Sequence, residues 1–207
     1  MAHKGRPREF DRAEALFKAM RVFWAQGYEG ATLMELQAAM GGITAPSFYA
    51  AFRSKEALFR EAVELYSKTL GAPMMRDLAE RDTARAAVGD LLANAVTAFT
   101  KRGLPRGCML VQAAMNGAPA SKSVHGYVRG LRERRRKAIR QRLERAVAEG
   151  ELTSKSDLDA MTQFYTTVID GLAIQARDGA SRGALDRAAA CAMAAWGKTA
   201  HPAKRLC

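Results

Sequence analysis

The stretch that most constrains the fold of this chain is a pair of short helical segments between Thr32 and Lys55. Thr32 stands just before an apolar-periodic run, and Glu35 follows it by three residues. This spacing predicts a capping box, in which both side chains satisfy amide protons that the first helical turn leaves free. The pair Gly41-Gly42, which begins six residues after Glu35, predicts the end of the helix, because glycine adopts left-handed backbone angles without steric cost.

The second helix of the pair begins at Thr44, which offers a cap, and has Pro46 in its first turn, where a missing amide proton does little harm. Phe48 and Phe52 lie one helical turn apart and are expected to pack inward. The opposite face carries small and polar side chains. This is the helix-turn-helix pattern that enters a DNA major groove, although ordinary corners of helical proteins share it.

The surroundings of the motif resemble a known family. Residues 5–66 contain the segments GYEGATLMEL, SFYAAF and SKEALF in the order found in the DNA-binding region of tetracycline-repressor (TetR) family regulators. An ordered set over this length is far more specific than one motif. The remainder is similar in outline, through its helix pattern and the segments RGCMLV and IDGLAIQARDG. The turn at 41–44 is one residue longer than the usual family turn, which bears on the angle of the second helix.

Resemblance and side-chain chemistry together predict the DNA contacts. Tyr49 and Lys55 look like the phosphate contacts of the family, and Thr32 and Thr44 lie close to the DNA backbone by the same comparison. The second helix has no Arg, Asn or Gln at its middle, the side chains that discriminate bases most strongly. We therefore expect much of the specificity to come from DNA shape and half-site spacing. The predicted set on and around the two helices is Thr32, Thr44, Ala45, Ser47, Tyr49, Ala50 and Lys55.

The amino terminus predicts a basic arm. Lys4, Arg6 and Arg8 lie in KGRPR, before any helical period begins, and Gly-Arg-Pro-Arg resembles the core of the AT-hook, a minor-groove binding element. Arginines gain from the enhanced negative potential of a narrow groove, whereas the alternative is a solvated basic tail. Lys plus Arg number 33 against 21 for Asp plus Glu, and the net charge of +12 favours a polyanionic partner.

Beyond Ser54 the sequence predicts a larger helical unit. Apolar residues recur at helical spacing, loops are short and no period-two apolar run appears, so the expected class is all-α with about nine helices. We predict a three-helix DNA-binding domain with its arm over residues 1–54 and an effector-binding and dimerisation domain over residues 55–207. In the TetR family the helix after Ser54 joins the two units, and here Gly71 and Pro73 are expected to end it.

The resemblance also implies a small-molecule effector cavity in the second domain. Methionine and aromatic stripes are more often plain core, so cavity and core both stay open for each candidate. A mainly apolar lining with Gln112 and Tyr127 as polar handles suggests a hydrophobic or aromatic effector. The candidates on the helices that line this cavity in relatives are Phe99, Cys108, Met109, Gln112, Met115, Tyr127, Phe164 and Tyr165.

Two helix faces of the second domain carry further expectations. The long helix over residues 121–149 has a buried stripe that includes Ile139 and Leu143, and its many arginines are predicted to form a solvated face. The last two helices are rich in alanine, at Ala173, Ala176 and along 188–195, and small side chains allow a four-helix interface between two copies. Closure of the monomer core is the alternative. A palindromic operator requires a symmetric dimer, and the resemblance to the TetR family favours the interface.

Other classes of protein find little support in the sequence. There is no nucleophile elbow, no phosphate-binding glycine loop and no metal-ligand spacing among the three cysteines, so we expect no enzyme activity, no cofactor and no metal site. No apolar run reaches membrane-spanning length, and the amino terminus lacks an apolar signal core, which predicts no membrane association and a cytoplasmic location.

The sequence therefore predicts a ligand-responsive transcriptional regulator, a repressor that a small effector releases from palindromic double-stranded operator DNA as a homodimer. One alternative is a redox- or electrophile-sensing regulator that uses Cys108, since a helix start and the nearby Arg106 both favour a thiolate. Others are a small-molecule carrier with a helix-turn-helix-like corner and a non-specific DNA-packaging protein.

Overall fold

The computed structural model describes residues 11–113 and 121–196. All regular secondary structure in these ranges is helical, which confirms the all-α class. Lys4, Arg6 and Arg8 of the predicted arm, and Met115 of the predicted cavity, lie outside the described residues.

The helices follow one another in an order that matches the predicted helix-turn-helix at the amino end. The helices are α1 (Arg12–Gly30), α2 (Leu33–Ala39), α3 (Ala45–Phe52), α4 (Lys55–Tyr66), α5 (Ala72–Met75), α6 (Asp77–Glu80), α7 (Ala84–Phe99), α8 (Met109–Gln112), α9 (Lys122–Ala148), α10 (Leu158–Arg177) and α11 (Arg182–Ala194). A π-helical turn joins α4 to α5, and α4, α5 and α6 form one interrupted rod. When this rod is counted once, the described ranges contain nine helices, the expected number.

Local side-chain chemistry sets the ends of the first helices. The carboxylate of Asp11 accepts from the amides of Ala13 and Glu14 at the start of α1. Both bonds of the predicted capping box between Thr32 and Glu35 are present at the start of α2. After α2, Gly41 and Gly42 have φ of 97° and 76°, left-handed values that a residue with a Cβ rarely adopts. The glycine pair thus reverses the chain between α2 and α3.

The fourth helix is longer than the sequence suggests, and its predicted end at Gly71 and Pro73 is wrong. The backbone passes from α4 through a π-helical turn, Ser67–Gly71, straight into α5 and α6. Pro73 stands in the first turn of α5, where no amide proton is required. The chain therefore stays helical from Lys55 to Glu80, with one widened turn in its middle.

Aromatic packing joins α4 to the helix-turn-helix unit. The ring of Phe59 on α4 meets the rings of Phe23 and Tyr28 on α1 edge to face, with centroids 5.1 Å apart in both pairs. Trp24 of α1 makes the same kind of contact with Tyr66 at the end of α4, at 5.0 Å. Because α4 packs along α1 over its length, it belongs to the core of the small unit as well as to the larger one. The division at residue 54 remains a prediction.

The long helix α9 differs from its prediction in one respect. Ile139 and Leu143 are fully buried as expected, but Arg135 and Arg142 are buried with them, 7% and 3% exposed. The guanidinium of Arg142 donates to the carbonyls of Arg81 and Asp82 at 3.2 and 3.1 Å. The predicted solvated face of arginines is therefore wrong at these two positions, because both lie on the side of α9 that packs on the body.

The alanine-rich faces of the last two helices divide between core and surface. Ala173 and Ala176 of α10 pack inside the chain, at 1% and 0% exposure, so their assignment to an intermolecular face is wrong. Ala188, Ala190 and Ala194 of α11 are exposed. None of the helices in the described ranges is long and apolar enough to cross a membrane.

A close backbone approach before α8 yields a prediction about stability. Gly107 has φ of 85°, and a Cβ there would lie 2.7 Å from the Ala173 carbonyl oxygen and 2.9 Å from Gln112 Nε2. Gly103 has a similar φ of 79°, but a Cβ there would meet nothing within 4 Å. Gly103→Ala is therefore a matched control that measures the backbone strain alone.

We expect Gly103→Ala to lower the free energy of unfolding by about 1–2 kcal/mol. Gly107→Ala should lower it by a further ~1–3 kcal/mol, because the methyl group has no space against the α10 backbone. Urea unfolding followed by circular dichroism measures both values. Equal losses in the two variants would contradict the close approach.

Candidate functional site

The second helix of the helix-turn-helix presents the predicted face to solvent. Phe48 and Phe52 are buried at 0% and 1% exposure, while Tyr49 is 52% exposed. Thus α3 buries one side and exposes the other, as a helix that enters a groove requires. The exposed residues on and just before α3 are Thr44, Ala45, Pro46, Ser47, Tyr49 and Ala50. All of them except Pro46 are predicted contacts, and no predicted contact of this segment is buried.

Arg12 of α1 holds α3 in place. Its guanidinium donates to the carbonyl of Ala51 at 3.3 Å and to both carboxylate oxygens of Glu61 on α4, at 2.8 and 2.7 Å. It also lies over the ring of Phe52, 4.6 Å from the centroid. One side chain thereby links α1, α3 and α4, and an eight-residue helix has little stability without such tertiary support.

The two predicted threonines cap helices. Thr44 Oγ1 accepts from the amide of Ser47 at 3.4 Å and lies 3.0 Å from Ser47 Oγ. Thr32 Oγ1 accepts from the amide of Glu35 and donates to its carboxylate, and this hydroxyl bond, followed by the one from the Thr32 amide, lowers the pKa of Glu35. Both threonines are exposed. Each hydroxyl therefore has a structural role at the surface where DNA contact is predicted.

Lys55 occupies a different setting from a free surface lysine. Its Nζ lies 4.5 Å from the centroid of the Tyr28 ring, and partial burial lowers the pKa of Lys55. The amine is thus held against α1 by a cation–π contact. Its predicted phosphate contact would be made from this fixed position rather than by a mobile side chain.

A polar junction connects α4 to α9. Glu56 accepts from Ser123 at 2.7 Å and from Arg60 at 2.9 Å, and Arg60 also donates to Ser123 at 2.8 Å. The guanidinium of Arg60 lies 4.6 Å from the centroid of the Tyr127 ring. These contacts tie the helix that follows the helix-turn-helix to the long helix of the larger unit. Tyr127, a predicted effector contact, is part of this junction.

A cavity lies between the π-helical turn, α5, the start of α8 and α9. Its volume is about 270 Å³. Of the predicted effector residues in the described ranges, Cys108 alone lies on its wall, whereas Phe99, Met109 and Tyr165 are buried in the core at 0–1% exposure. Gln112 donates from Nε2 to the carbonyl of Arg106 at 2.8 Å. The residues that line the cavity are Tyr66, Ser67, Gly71, Ala72, Met74, Met75, Cys108, Leu110, Leu131, Arg134 and Arg135.

Sequence reasoning missed the polar members of this wall. Tyr66 and Ser67 stand where the helix was expected to approach its end, and Arg135 was grouped with solvated arginines. A signal was available for Arg135, because it lies four residues before Ile139 and so continues the buried stripe of α9. The predicted role of Phe99, Met109, Gln112, Tyr127, Phe164 and Tyr165 in effector binding stays a prediction.

Cys108 is buried at 2% exposure, and its Sγ accepts a hydrogen bond from the hydroxyl of Tyr66 at 3.4 Å. Burial, followed by the charge of the Cys108 thiolate form, raises the pKa of Tyr66 well above its ordinary value. Arg106, expected to activate the thiol, donates instead to the carbonyl of Ala180. The helix that follows Cys108, α8, is four residues long. The two reasons given by the sequence for a reactive thiol are therefore weak in the structure.

The comparisons with known proteins agree with this arrangement. Residues 15–62 match the family described as bacterial regulatory proteins, tetR family, and residues 84–192 match the tetracyclin repressor-like C-terminal domain. A helix-turn-helix with an exposed second helix, followed by this helical domain, defines a DNA-binding transcriptional regulator. The chain belongs to the TetR family.

Individual relatives resemble the chain over most of its length. The HTH-type transcriptional repressor ComR of Escherichia coli (strain K12) is 32% identical over 194 residues, which cover 93% of this chain and 92% of ComR. The repressor BdcR of the same strain is 27% identical over 86% of the chain and 84% of its own length. A solved structure of a cysteine mutant of the TetR-family regulator CifR with 26-base-pair operator DNA is 42% identical, with a TM-score of 0.87, and covers 93% of this chain and 100% of CifR.

The junction between α4 and α9 generates a prediction about Glu56. The hydrogen bond from Ser123, then the bond and charge of Arg60, lower the pKa of Glu56 below its ordinary value. A carboxylate with a lowered folded-state pKa stabilises the protein at neutral pH and loses that contribution as the pH falls. We expect Ser123→Ala to raise the pKa of Glu56 towards the ordinary value, measured by NMR titration of the carboxyl carbon. The stability of the variant should then fall less steeply between neutral and acidic pH.

Lys122→Ala is a suitable control, because Lys122 is an exposed neighbour on α9 without a hydrogen bond to Glu56 in the described residues. An unchanged Glu56 titration in Ser123→Ala would show that the serine does not hold the junction.

Proposed function

We propose that this chain is a ligand-responsive transcriptional repressor, which binds a palindromic operator as a homodimer and releases it when a small effector occupies the larger unit. The observation that carries the proposal is the outward face of α3, which is held by Arg12 on a three-helix unit while its Phe48 and Phe52 are buried. The operator-bound structures of CifR, at 42% identity, support the DNA partner.

The chemistry of α3 suggests how the operator is read. Ser47 and Ala50 are exposed at its middle, and neither makes the bidentate bonds with which Arg, Asn or Gln select a base. Tyr49 and the N-terminus of α3 suit phosphate contacts, which position the protein without reading sequence. We infer that groove shape and the distance between two copies of α3, about 34–36 Å or a multiple of it, supply most of the specificity.

A groove between α10 and α11 supports the homodimer. Its volume is about 320 Å³, and its walls include Val168, Gly171, Leu185 and Ala188. Small residues on these walls let another helix pair approach closely, as in a four-helix interface. Two chains related by a twofold axis through this face would present two copies of α3 to one duplex.

The alternative of a thiol-based sensor is not favoured, since Cys108 is buried beside Tyr66 and Arg106 bonds elsewhere. A carrier or an enzyme with a helix-turn-helix-like corner would bind a ligand without any change in DNA affinity. A packaging protein would bind random and selected duplexes almost equally.

The test is to recover genomic fragments bound by the purified protein and to titrate the enriched sequence against random duplex at fixed salt. We expect an enriched palindrome, two protomers on each duplex and a ratio of affinities above about 10³. A ratio near one would contradict the repressor and indicate packaging. Base-by-base substitution of the palindrome then measures how much each base pair contributes to affinity. A strong dependence of the affinity on one central G·C pair would contradict recognition by DNA shape.

The cap of α3 offers a sharper variant. Thr44→Asp preserves the cap, because Asp accepts from helix amides as well as Thr does, but it adds a negative charge at the predicted phosphate contact. Thr44→Asn preserves the cap without the charge and is the matched control. We expect both variants to unfold within about 0.5 kcal/mol of the parent protein.

In a binding titration, Thr44→Asp should weaken operator affinity at least about tenfold at low salt, by repulsion from the phosphates, while Thr44→Asn should not. The deficit should diminish as salt is added, since screening weakens the repulsion. Equal affinity of the two variants would show that the start of α3 does not face the DNA backbone.

A further inference from the structure

The cavity beside the π-helical turn has an unusual combination of walls. Met74, Met75, Leu110 and Leu131 make it mainly apolar, yet two arginines, Arg134 and Arg135, also lie on it. No aspartate or glutamate is among its lining residues. The lining of this cavity is therefore mainly apolar and carries positive charge.

Arg135 is the most informative of these residues. It is 7% exposed, and its Nη2 donates to Asp170 on α10. Its Nε and Nη1 are buried without a hydrogen-bond partner among the described residues. A buried guanidinium is costly unless its donors are satisfied, because the water that it loses on burial is not replaced by other acceptors. Arg142 on the same helix also has a buried Nε and Nη1 without a hydrogen-bond partner among the described residues, but its Nη2 donates to two backbone carbonyls, and carboxylate oxygens of Glu149 and Glu151 lie 3.7 and 3.9 Å from its guanidinium.

Other groups around Arg135 also favour a negative charge. Arg134 is exposed at the cavity and has no ion pair or hydrogen bond within the described part of the chain. Arg132 donates to the carbonyl of Leu110 at 2.9 Å; burial lowers the pKa of Arg132, the charge of Asp170 raises it, and the charge of Arg135 lowers it. The repulsion between guanidiniums that Asp170 leaves uncompensated would be relieved by a second anion.

A hydroxyl on the opposite wall completes the polar set. Ser67 Oγ is buried and has no hydrogen-bond partner among the described residues. Ser67 begins the π-helical turn, and such turns inside α-helices are frequently found at functional sites. The cavity therefore offers charged donors on α9 and a neutral donor on the turn that follows α4.

We propose that this cavity binds a small organic carboxylate, with the carboxylate held by Arg135, supported by Arg134 and Ser67, and the apolar body against Met74, Leu110 and Leu131. The planar fork of a guanidinium matches a carboxylate, and ion-assisted bonds of this kind are the stronger ones. The volume of about 270 Å³ lies at the small end of ligand pockets, which suits a single ring or a short branched chain. The sequence predicts a hydrophobic or aromatic effector, and this proposal adds that the effector carries a carboxylate group.

The same wall connects the ligand to the DNA-binding unit, a step that rests on the proposed function. Tyr66 lines the cavity, and its ring packs edge to face on Trp24 of α1 at 5.0 Å. A ligand that orders Ser67 and Tyr66 in one arrangement would favour one position of α1 and α4 over another. An effector changes operator affinity when it binds more tightly to one of two conformations of the protein that differ in their affinity for the operator.

The test compares matched pairs of probes of nearly the same shape, in which an uncharged amide replaces the carboxylate: benzoate with benzamide, phenylacetate with phenylacetamide, and isovalerate with isovaleramide. Isothermal calorimetry and thermal unfolding of the DNA-free protein measure binding at constant ionic strength, with sulfate as an inorganic anion control. We expect at least one carboxylate to bind saturably and to raise the melting temperature, at least about tenfold more tightly than its amide, because the loss of an ion-assisted bond has that effect.

Variants of the cavity then locate the site. Arg135→Met combined with Asp170→Asn removes the guanidinium without leaving its partner charged, and should weaken carboxylate binding at least about tenfold. Arg135→Lys keeps the positive charge but loses the planar pair of guanidinium donors, and it should weaken carboxylate binding by a smaller factor. Arg129→Met, which removes an exposed arginine of α9 that does not line the cavity, should bind as the parent protein does.

Each other outcome overturns the proposal. These outcomes are equal binding of acids and amides, equal shifts with sulfate, no binding by any carboxylate, or unchanged binding in the double variant when circular dichroism shows that it is folded. Operator titration is done separately. If the protein binds operator but no carboxylate, the proposed ligand class is wrong and the proposed repressor function still stands. If a carboxylate binds without changing operator affinity, the cavity is a carboxylate site but the proposed response to an effector is wrong.

Discussion

The structure depends on the burial of one side of a helix that is too short to be stable by itself. The eight residues of α3 remain helical and correctly placed because Phe48 and Phe52 are inserted into the core of the small unit and because Arg12 joins the end of α3 to α1 and α4. This packing leaves the opposite face to solvent with no further requirement on its sequence. The exposed face is thereby free to serve recognition, while its orientation is fixed by the contacts of its buried side and of Arg12.

The arginines of α9 show that one residue type serves two purposes on one helix. Arg142 is buried, donates to backbone carbonyls of the segment before α7 and lies within 4 Å of the carboxylates of Glu149 and Glu151, at 3.7 and 3.9 Å, so it stabilises a corner of the fold. Arg135 is buried almost as deeply, and among the described residues its one acceptor is the carboxylate of Asp170. The difference lies in the acceptors near each guanidinium, which are two carbonyls and two carboxylates for Arg142 and one carboxylate for Arg135.

The rod that begins with α4 relates these two regions. Its first turns pack on α1 through Phe59 and are tied to α9 through Glu56 and Ser123, and its π-helical turn forms a wall of the cavity. A widened helical turn is held by fewer regular bonds than the helix on either side, so it is a natural place for two arrangements of similar energy. Events at the cavity and at the helix-turn-helix therefore share one continuous element.

The sequence by itself determined the helices, their caps and the inward residues of the amino-terminal unit, because those features depend on spacing within a few residues: Thr32 with Glu35, the pair Gly41–Gly42, Phe48 with Phe52. It also determined which face of α3 is exposed and, through its ordered motifs, the family. Tertiary structure alone decided that Ala173 and Ala176 lie in the core, that Arg135 meets Asp170 of α10, and that Pro73 does not end the rod. These outcomes depend on which distant helices pack against each face, and the local period of a sequence carries no information about the partner. The cavity belongs to this second group, since its walls come from four segments that only the folded chain brings together.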